Sequence, residues 1–176
     1  IMKSPKQKTL ESKLLERLTG NTRTAVEILI DDPEVQALQD YANTVSIKRL
    51  GYNDHGPVHM RTVALNAITL IELLHQQGIP LSLEQEEIGS IQDSSVAVMI
   101  AAFLHDVGMT VGRENHETMS LIIAEPIISR ILDQLFPYDT TKKVILRSLI
   151  LECIAGHMAS QRIHSREAGI LLIADG

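Results

Sequence analysis

Val96-Ala97-Val98-Met99-Ile100-Ala101-Ala102-Phe103-Leu104-His105-Asp106-Val107-Gly108 decides the reading of this chain. Val96 to Leu104 is an unbroken apolar run, so the segment is expected to be buried on every side. Its length alone would permit a strand. Its alanine and methionine content, and the helical patterns on both sides, favour a helix. At its end stand His105 and Asp106, followed at once by Gly108. Polar side chains at the end of a buried segment are costly without partners. A metal ion is the natural partner for an imidazole beside a carboxylate. The dipeptide is common by chance, so the other ligands must come from elsewhere in the chain.

Helical patterning extends outward from this segment in both directions. Leu10, Leu14, Leu15 and Leu18 recur at helical spacing and Gly20 closes that run. Asp32-Pro33 opens a helix with a cap and a first-turn proline, and this helix is expected to reach about Leu50 before Gly51. Tyr52 to Gly56 reads as a polar turn, with Pro57 at the start of a helix that is apolar nearly all round from His59 to Leu74. Ser82-Leu83-Glu84-Gln85 matches a capping box. Asp93-Ser94-Ser95 is expected to cap the buried segment. Asn115 is expected to cap a helix from His116 to Phe136, which Pro126 should kink or divide. Asp139 and Ser165 cap the last two helices. With no strand alternation and no repeat, the expected fold is all-α, a single compact domain of seven to nine helices. Residues 1–50 would form N-terminal helices packed on a core of residues 51–176. The closing run Ile170 to Gly176 stops in mid-pattern, so the natural protein is expected to continue.

The totals narrow the function. A chain of 176 residues with 44% apolar and 22% charged residues suits one globular domain. A net charge of −6 argues against nucleic acid or a membrane surface as partner. It leaves room for an anionic substrate, because bound metal ions reverse the local sign. No stretch has the length of a membrane span. The single cysteine, Cys153, leaves no internal disulfide, fits a reducing cytoplasm and reads as an inert core thiol.

The candidate ligands stand at helix ends: His59, His105 with Asp106, His116 and His157, with Asp175 in the last apolar run. Singly, each could be a capping or hydrogen-bonded residue; together they suggest convergence. In this order, His59-Met60-Arg61-Thr62-Val63-Ala64, Leu104-His105-Asp106-Val107-Gly108 and Ile173-Ala174-Asp175 resemble the HD superfamily of metal-dependent phosphohydrolases. The resemblance covers about residues 50–176, and His116 and His157 look like the extra histidines of its two-metal branch. It implies one ion held by His59, His105, Asp106 and Asp175, and a second held by His116 and His157, with Asp106 bridging. His164 is an alternative to His157. Imidazoles with carboxylates suit Mn, Fe, Ni, Co or Zn, with Mg compatible at one position.

The resemblance further implies attack by a metal-bound hydroxide on a small phosphorylated substrate, with a nucleotide as the leading class. His55 lies four residues before His59, a spacing similar to that of cyclic-nucleotide phosphodiesterases. By that resemblance it is a candidate general acid, a role that suits imidazole. Asp54 could orient His55 or cap the helix. The chain departs from the cyclic-dinucleotide branch, which carries a lysine where Met109 stands and a Gly-Tyr-Pro signature that is absent here. Arg113, His164 and Arg166 are candidate pocket residues, whereas His75 reads as solvated. Two other functions fit the same ligand set. One is a di-iron oxygenase, and the other is a non-catalytic nucleotide-binding module. A homo-oligomer is compatible with the sequence.

Overall fold

The computed structural model describes residues 2–176. They form nine α-helices and no strand. These are α1 (Pro5–Arg17), α2 (Gly20–Asp31), α3 (Pro33–Thr44), α4 (Pro57–Gln76), α5 (Ser82–Gln85), α6 (Ile91–Leu104), α7 (His116–Leu135), α8 (Thr140–Gly156) and α9 (Arg166–Asp175). A π-helical turn, Val45–Arg49, follows α3, and a 3-10 turn, Val107–Thr110, follows His105 and Asp106. The fold is all-α, as the patterning predicts.

α6 is the central helix. Every residue from Asp93 to Leu104 is buried, and α2, α4, α8 and α9 pack around it. An apolar face on all sides can be satisfied only by neighbours on all sides. The N-terminus of α6 lies earlier than the sequence suggests. Ser90, not the Asp93-Ser94-Ser95 group, is the cap. Its hydroxyl accepts from Asp93 N at 3.1 Å, and the Asp93 carboxylate accepts from Ser90 N at 2.9 Å. This reciprocal pair satisfies two free N–H groups at once, which outweighs a cap made by a residue already inside the first turn.

Four further boundaries differ from the sequence reading. α2 fills the stretch after Gly20, which the spacing of apolar residues left unassigned; Gly20 starts it at a φ of +55°. α3 stops at Thr44, and the π-turn carries the chain to Arg49. Pro126 does not divide α7, because Ala124, Ile127, Ile128 and Ile131 are buried on both sides of it. The carbonyl that Pro126 leaves unbonded belongs to Ile122, which is 64% exposed and faces water. Asn115 holds the start of α7 through a left-handed backbone (φ 54°) and not through its side chain, a conformation that asparagine tolerates. Pro57, Asp32, Asp139 and Ser165 start their helices as expected. Glu84 accepts from Leu81 N at the start of α5, while Ser82 turns away to accept from Arg166 N.

Glu167, fully buried on α9, locks three elements together. It accepts from Ser94 Oγ on α6 at 2.7 Å and from Leu83 N and Ser82 N on α5, each at 3.3 Å. Removing a buried acceptor strands its donors, at about 1–3 kcal/mol. Glu167→Ala is therefore expected to lower the unfolding free energy by about 2–3 kcal/mol in urea titration; a loss under about 0.5 kcal/mol, the range of surface substitutions, would show that these bonds do not hold α9 in place.

Candidate metal centre

The helix ends converge on Asp106. His105 is the C-terminal cap of α6 and Asp106 the next residue. His59 lies in the first turn of α4, His116 opens α7, His157 caps the end of α8 and Asp175 closes α9. Gly108 permits the turn that aims Asp106. A Cβ there would stand 2.0 Å from His116 O and 2.6 Å from Ser120 N, so only glycine lets this turn rest on α7. Gly108 N also donates to Ser120 Oγ at 2.8 Å.

Two clusters result. His59, His105, Asp106 and Asp175 form one, and Asp106, His116 and His157 form the other. Asp106 divides its carboxylate between them. Its Oδ2 is 3.3 Å from the Nε2 atoms of both His59 and His105. Its Oδ1 is 3.1 Å from His116 Nε2 and 3.4 Å from His157 Nε2. Asp175 Oδ1 closes the first cluster at 3.0 Å from His59 and 3.3 Å from His105. Around an ion with bonds of about 2.0–2.1 Å, neighbouring ligand atoms lie about 3.0–3.4 Å apart. The separations of both clusters match that requirement.

The tautomers make the stronger case. His105, His116 and His157 place Nδ1 at 2.9, 3.0 and 2.6 Å from the carbonyl oxygens of Ala102, Arg113 and Ile154. A carbonyl only accepts, so each Nδ1 must carry a proton and donate it. In a neutral ring, Nε2 then presents a lone pair. Yet His116 Nε2 and His157 Nε2 are 3.1 Å apart, and His105 Nε2 stands 3.3 Å from both Asp106 Oδ2 and Asp175 Oδ1. Facing lone pairs beside carboxylate oxygens need a cation between them. The donor set fits divalent metals that take nitrogen and oxygen ligands. Each cluster is thus capable of coordinating a divalent ion.

Protons can act as the cation instead. Burial disfavours a charged His59, but hydrogen bonds to Asp106 and Asp175 outweigh it and raise its pKa to about 9. His105, also desolvated, is likewise pushed well above 6.5 by Asp106 and Asp175. Burial works to raise Asp106, but His105, His116 and His157 hold it well below the usual carboxylate range. Asp175, also partly desolvated, is lowered by bonds to His105 and His59.

His55 joins this centre. Its Nδ1 lies 2.8 Å from Asp106 Oδ2, and its backbone N donates to Asn43 Oδ1. Asp54 accepts from Gly56 N at 2.8 Å and so shapes the turn before α4. A cleft of about 410 Å³ opens onto His55, His59, Asp106 and Asp175, with Tyr52, Arg113 and Met158 among its other walls. A larger, mostly apolar groove of about 560 Å³ lies between α7 and α8. It contains no residue of either cluster, so the smaller cleft is where the centre meets solvent. His164 lines that groove with its side chain 81% exposed, beside Glu152. Arg166 bonds Pro80 O. Neither lines the cleft. Cys153 is fully buried, and burial pushes its thiol pKa up.

The sequence reading passed over the support beneath the ligands. Arg61, fully buried on α4, donates to Glu11 Oε1, Gln39 Oε1 and Pro57 O, each within 3.0 Å. Gln39 in turn donates to Phe103 O, two residues before His105. An arginine within a helix that is apolar nearly all round was the available signal, since a buried guanidinium requires a carboxylate. Asn66 belongs in sequence to the thin polar stripe of α4, yet it donates to Ala174 O, beside Asp175.

Comparison with known proteins adds one relative. The chain is 33% identical over 162 residues to the uncharacterized protein MJ1020 of Methanocaldococcus jannaschii. The match spans 92% of this chain and 62% of that relative. No protein-family model matches the chain, and no solved structure matches it.

The pKa directions predict a pH signature for protein stripped of metal by a chelator. The raised His59 adds stability that is complete below 6.5 and is lost as pH rises through about 9. The depressed Asp106 and Asp175 add stability present above 3.8 and lost on acidification. Thermal melts of stripped protein are therefore expected to peak between about pH 4 and 6.5 and to fall toward pH 9 and above. Metal loading should flatten the alkaline arm and release protons, measurable by calorimetry in buffers of different ionisation enthalpy. An alkaline arm that metal leaves unchanged would show that the ions bind elsewhere.

Proposed function

We propose that the chain is a metal-dependent phosphohydrolase of the HD type, cleaving the phosphate ester of a nucleotide or another small molecule. One observation carries this reading: Asp106 gives one carboxylate oxygen to each of two clusters whose other atoms are imidazole nitrogens and a second carboxylate. His59, His105, Asp106 and Asp175 would hold one ion, and Asp106, His116 and His157 the other. Two ions so placed supply Lewis-acid polarisation of a phosphoryl oxygen and lower the pKa of water.

The chain's own groups do the rest. Three ligand imidazoles are oriented before any ion arrives, because backbone carbonyls fix their Nδ1–H atoms. His55 donates Nδ1–H to Asp106 Oδ2, which leaves Nε2 as the atom that carries a proton to the departing oxygen. The cleft admits a small ester to these groups.

Asp106→Ala is expected to abolish metal retention, read by elemental analysis, together with hydrolysis of a panel of esters: nucleoside monophosphates and triphosphates, read as released phosphate or polyphosphate, and cyclic nucleotides, read as the nucleoside monophosphate formed. His55→Ala should keep the metals and lower kcat by about 100- to 10,000-fold. Its defect should shrink on nitrophenyl phosphate, whose leaving group needs no proton. Full activity in Asp106→Ala would overturn the proposal, as would dioxygen uptake by iron-loaded protein that hydrolyses no ester of the panel.

A further inference from the structure

The lining of the cleft carries a cation that no described side chain pairs. Arg113 lines the cleft. Arg17, Arg23, Arg61 and Arg130 all meet carboxylates. The Arg113 guanidinium has no hydrogen-bond or ion-pair partner among the described residues, and it lies over the Tyr52 ring, 5.6 Å from its centroid. Three carboxylates share the cleft, but each is engaged. Asp54 bonds Gly56 N, and Asp106 and Asp175 face the imidazoles. No lysine lines it.

Both partners of this pair are tied to the frame of the centre. The Arg113 carbonyl is the acceptor for His116 Nδ1 at 3.0 Å, so the residue that fixes a ligand imidazole also carries the guanidinium. Tyr52 N donates to Ser46 O at 2.9 Å, and Ser46 Oγ donates to Asn53 O at 2.7 Å. The π-turn after α3 thereby anchors the loop that bears Tyr52. A guanidinium stacked on a ring keeps its edge donors free, and those donors match the oxygens of a phosphoryl group in pairs.

We infer that Arg113, steadied by Tyr52, is the anion-binding residue of the cleft and takes phosphoryl oxygens that the two clusters do not. The inference rests on the hydrolytic reading for its substrate, but the anion site can be tested separately. Arg113 sets the affinity for the ester and leaves the chemical step to the centre.

Isothermal titration of manganese-loaded protein with inorganic phosphate provides the test, alongside steady-state kinetics on the best ester of the panel. Arg113→Ala should raise the phosphate Kd and the KM about 10- to 100-fold, the effect of losing hydrogen bonds to a charged group. Its kcat and its metal content should stay within about twofold of wild type. Arg113→Lys should recover part of the loss, since it restores the charge without the paired donors. An unchanged phosphate Kd in Arg113→Ala would overturn the inference, as would loss of metal from that variant or no phosphate binding by wild type. Ester hydrolysis with an unaltered Arg113→Ala would defeat the anion site alone. Phosphate binding that depends on Arg113, in a protein that hydrolyses no ester, would uphold the anion site and defeat the hydrolytic reading.

Discussion

Lone pairs do not pack against lone pairs. At the centre of this protein, the Nε2 atoms of His116 and His157 approach to 3.1 Å beside Asp106, and His105 Nε2 faces two carboxylate oxygens at 3.3 Å. That arrangement can persist only around positive charge. The rest of the structure can be understood as the apparatus that enforces it. Protons satisfy the requirement at moderate pH, which is why His59 and His105 titrate high and Asp106 and Asp175 titrate low. Divalent ions held by the two clusters would satisfy it as well, and would compete with those protons.

Enforcing such a cluster requires helix ends held from behind. α6 supplies His105 and Asp106 from a helix with no solvent face, so its end cannot drift without disturbing every neighbour. Arg61 and Glu11 bind α4 to α1, and Gln39 carries the same network to the Phe103 carbonyl. Glu167 ties α9 to α6 at the end far from Asp175, and Asn66 steadies the chain at Ala174. The N-terminal helices thus bear on the geometry of a centre to which they contribute no ligand.

Legibility in the sequence followed the kind of physics involved. Burial is periodic, so the all-α class and the central place of α6 could be read from apolar spacing. Helix caps made by Asp32, Asp139 and Ser165 are local chemistry and were readable too. α2 was not, because Gly20 looks like a stop in sequence while serving as a start, and only its φ of +55° tells the two apart. The ligand positions were legible as residue types in an order, and the structure brings all of them together. What no linear reading could supply was Asp106 splitting its two oxygens, or Arg61 reaching Glu11 across 50 residues. Those depend on how helices distant in sequence meet.

The position of the histidines at helix ends has a physical reason. Each of His105, His116 and His157 donates Nδ1–H to the carbonyl three residues before it. In a helix interior that carbonyl is taken by the N–H four residues further on. At a helix end the partner four residues on is missing, and Arg113 O and Ile154 O take only a long bond, 3.4 and 3.5 Å, from the backbone N–H of the same histidine. A ligand imidazole placed there uses a spare backbone acceptor to fix its tautomer, and its Nε2 is left pointing away from the helix. Placed one turn earlier, the same residue would have to displace a backbone hydrogen bond or find a carboxylate to orient it. An all-α protein that builds a histidine centre from its own backbone is thereby constrained to build it where helices stop and start. The resulting site is a ring of helix ends around one carboxylate.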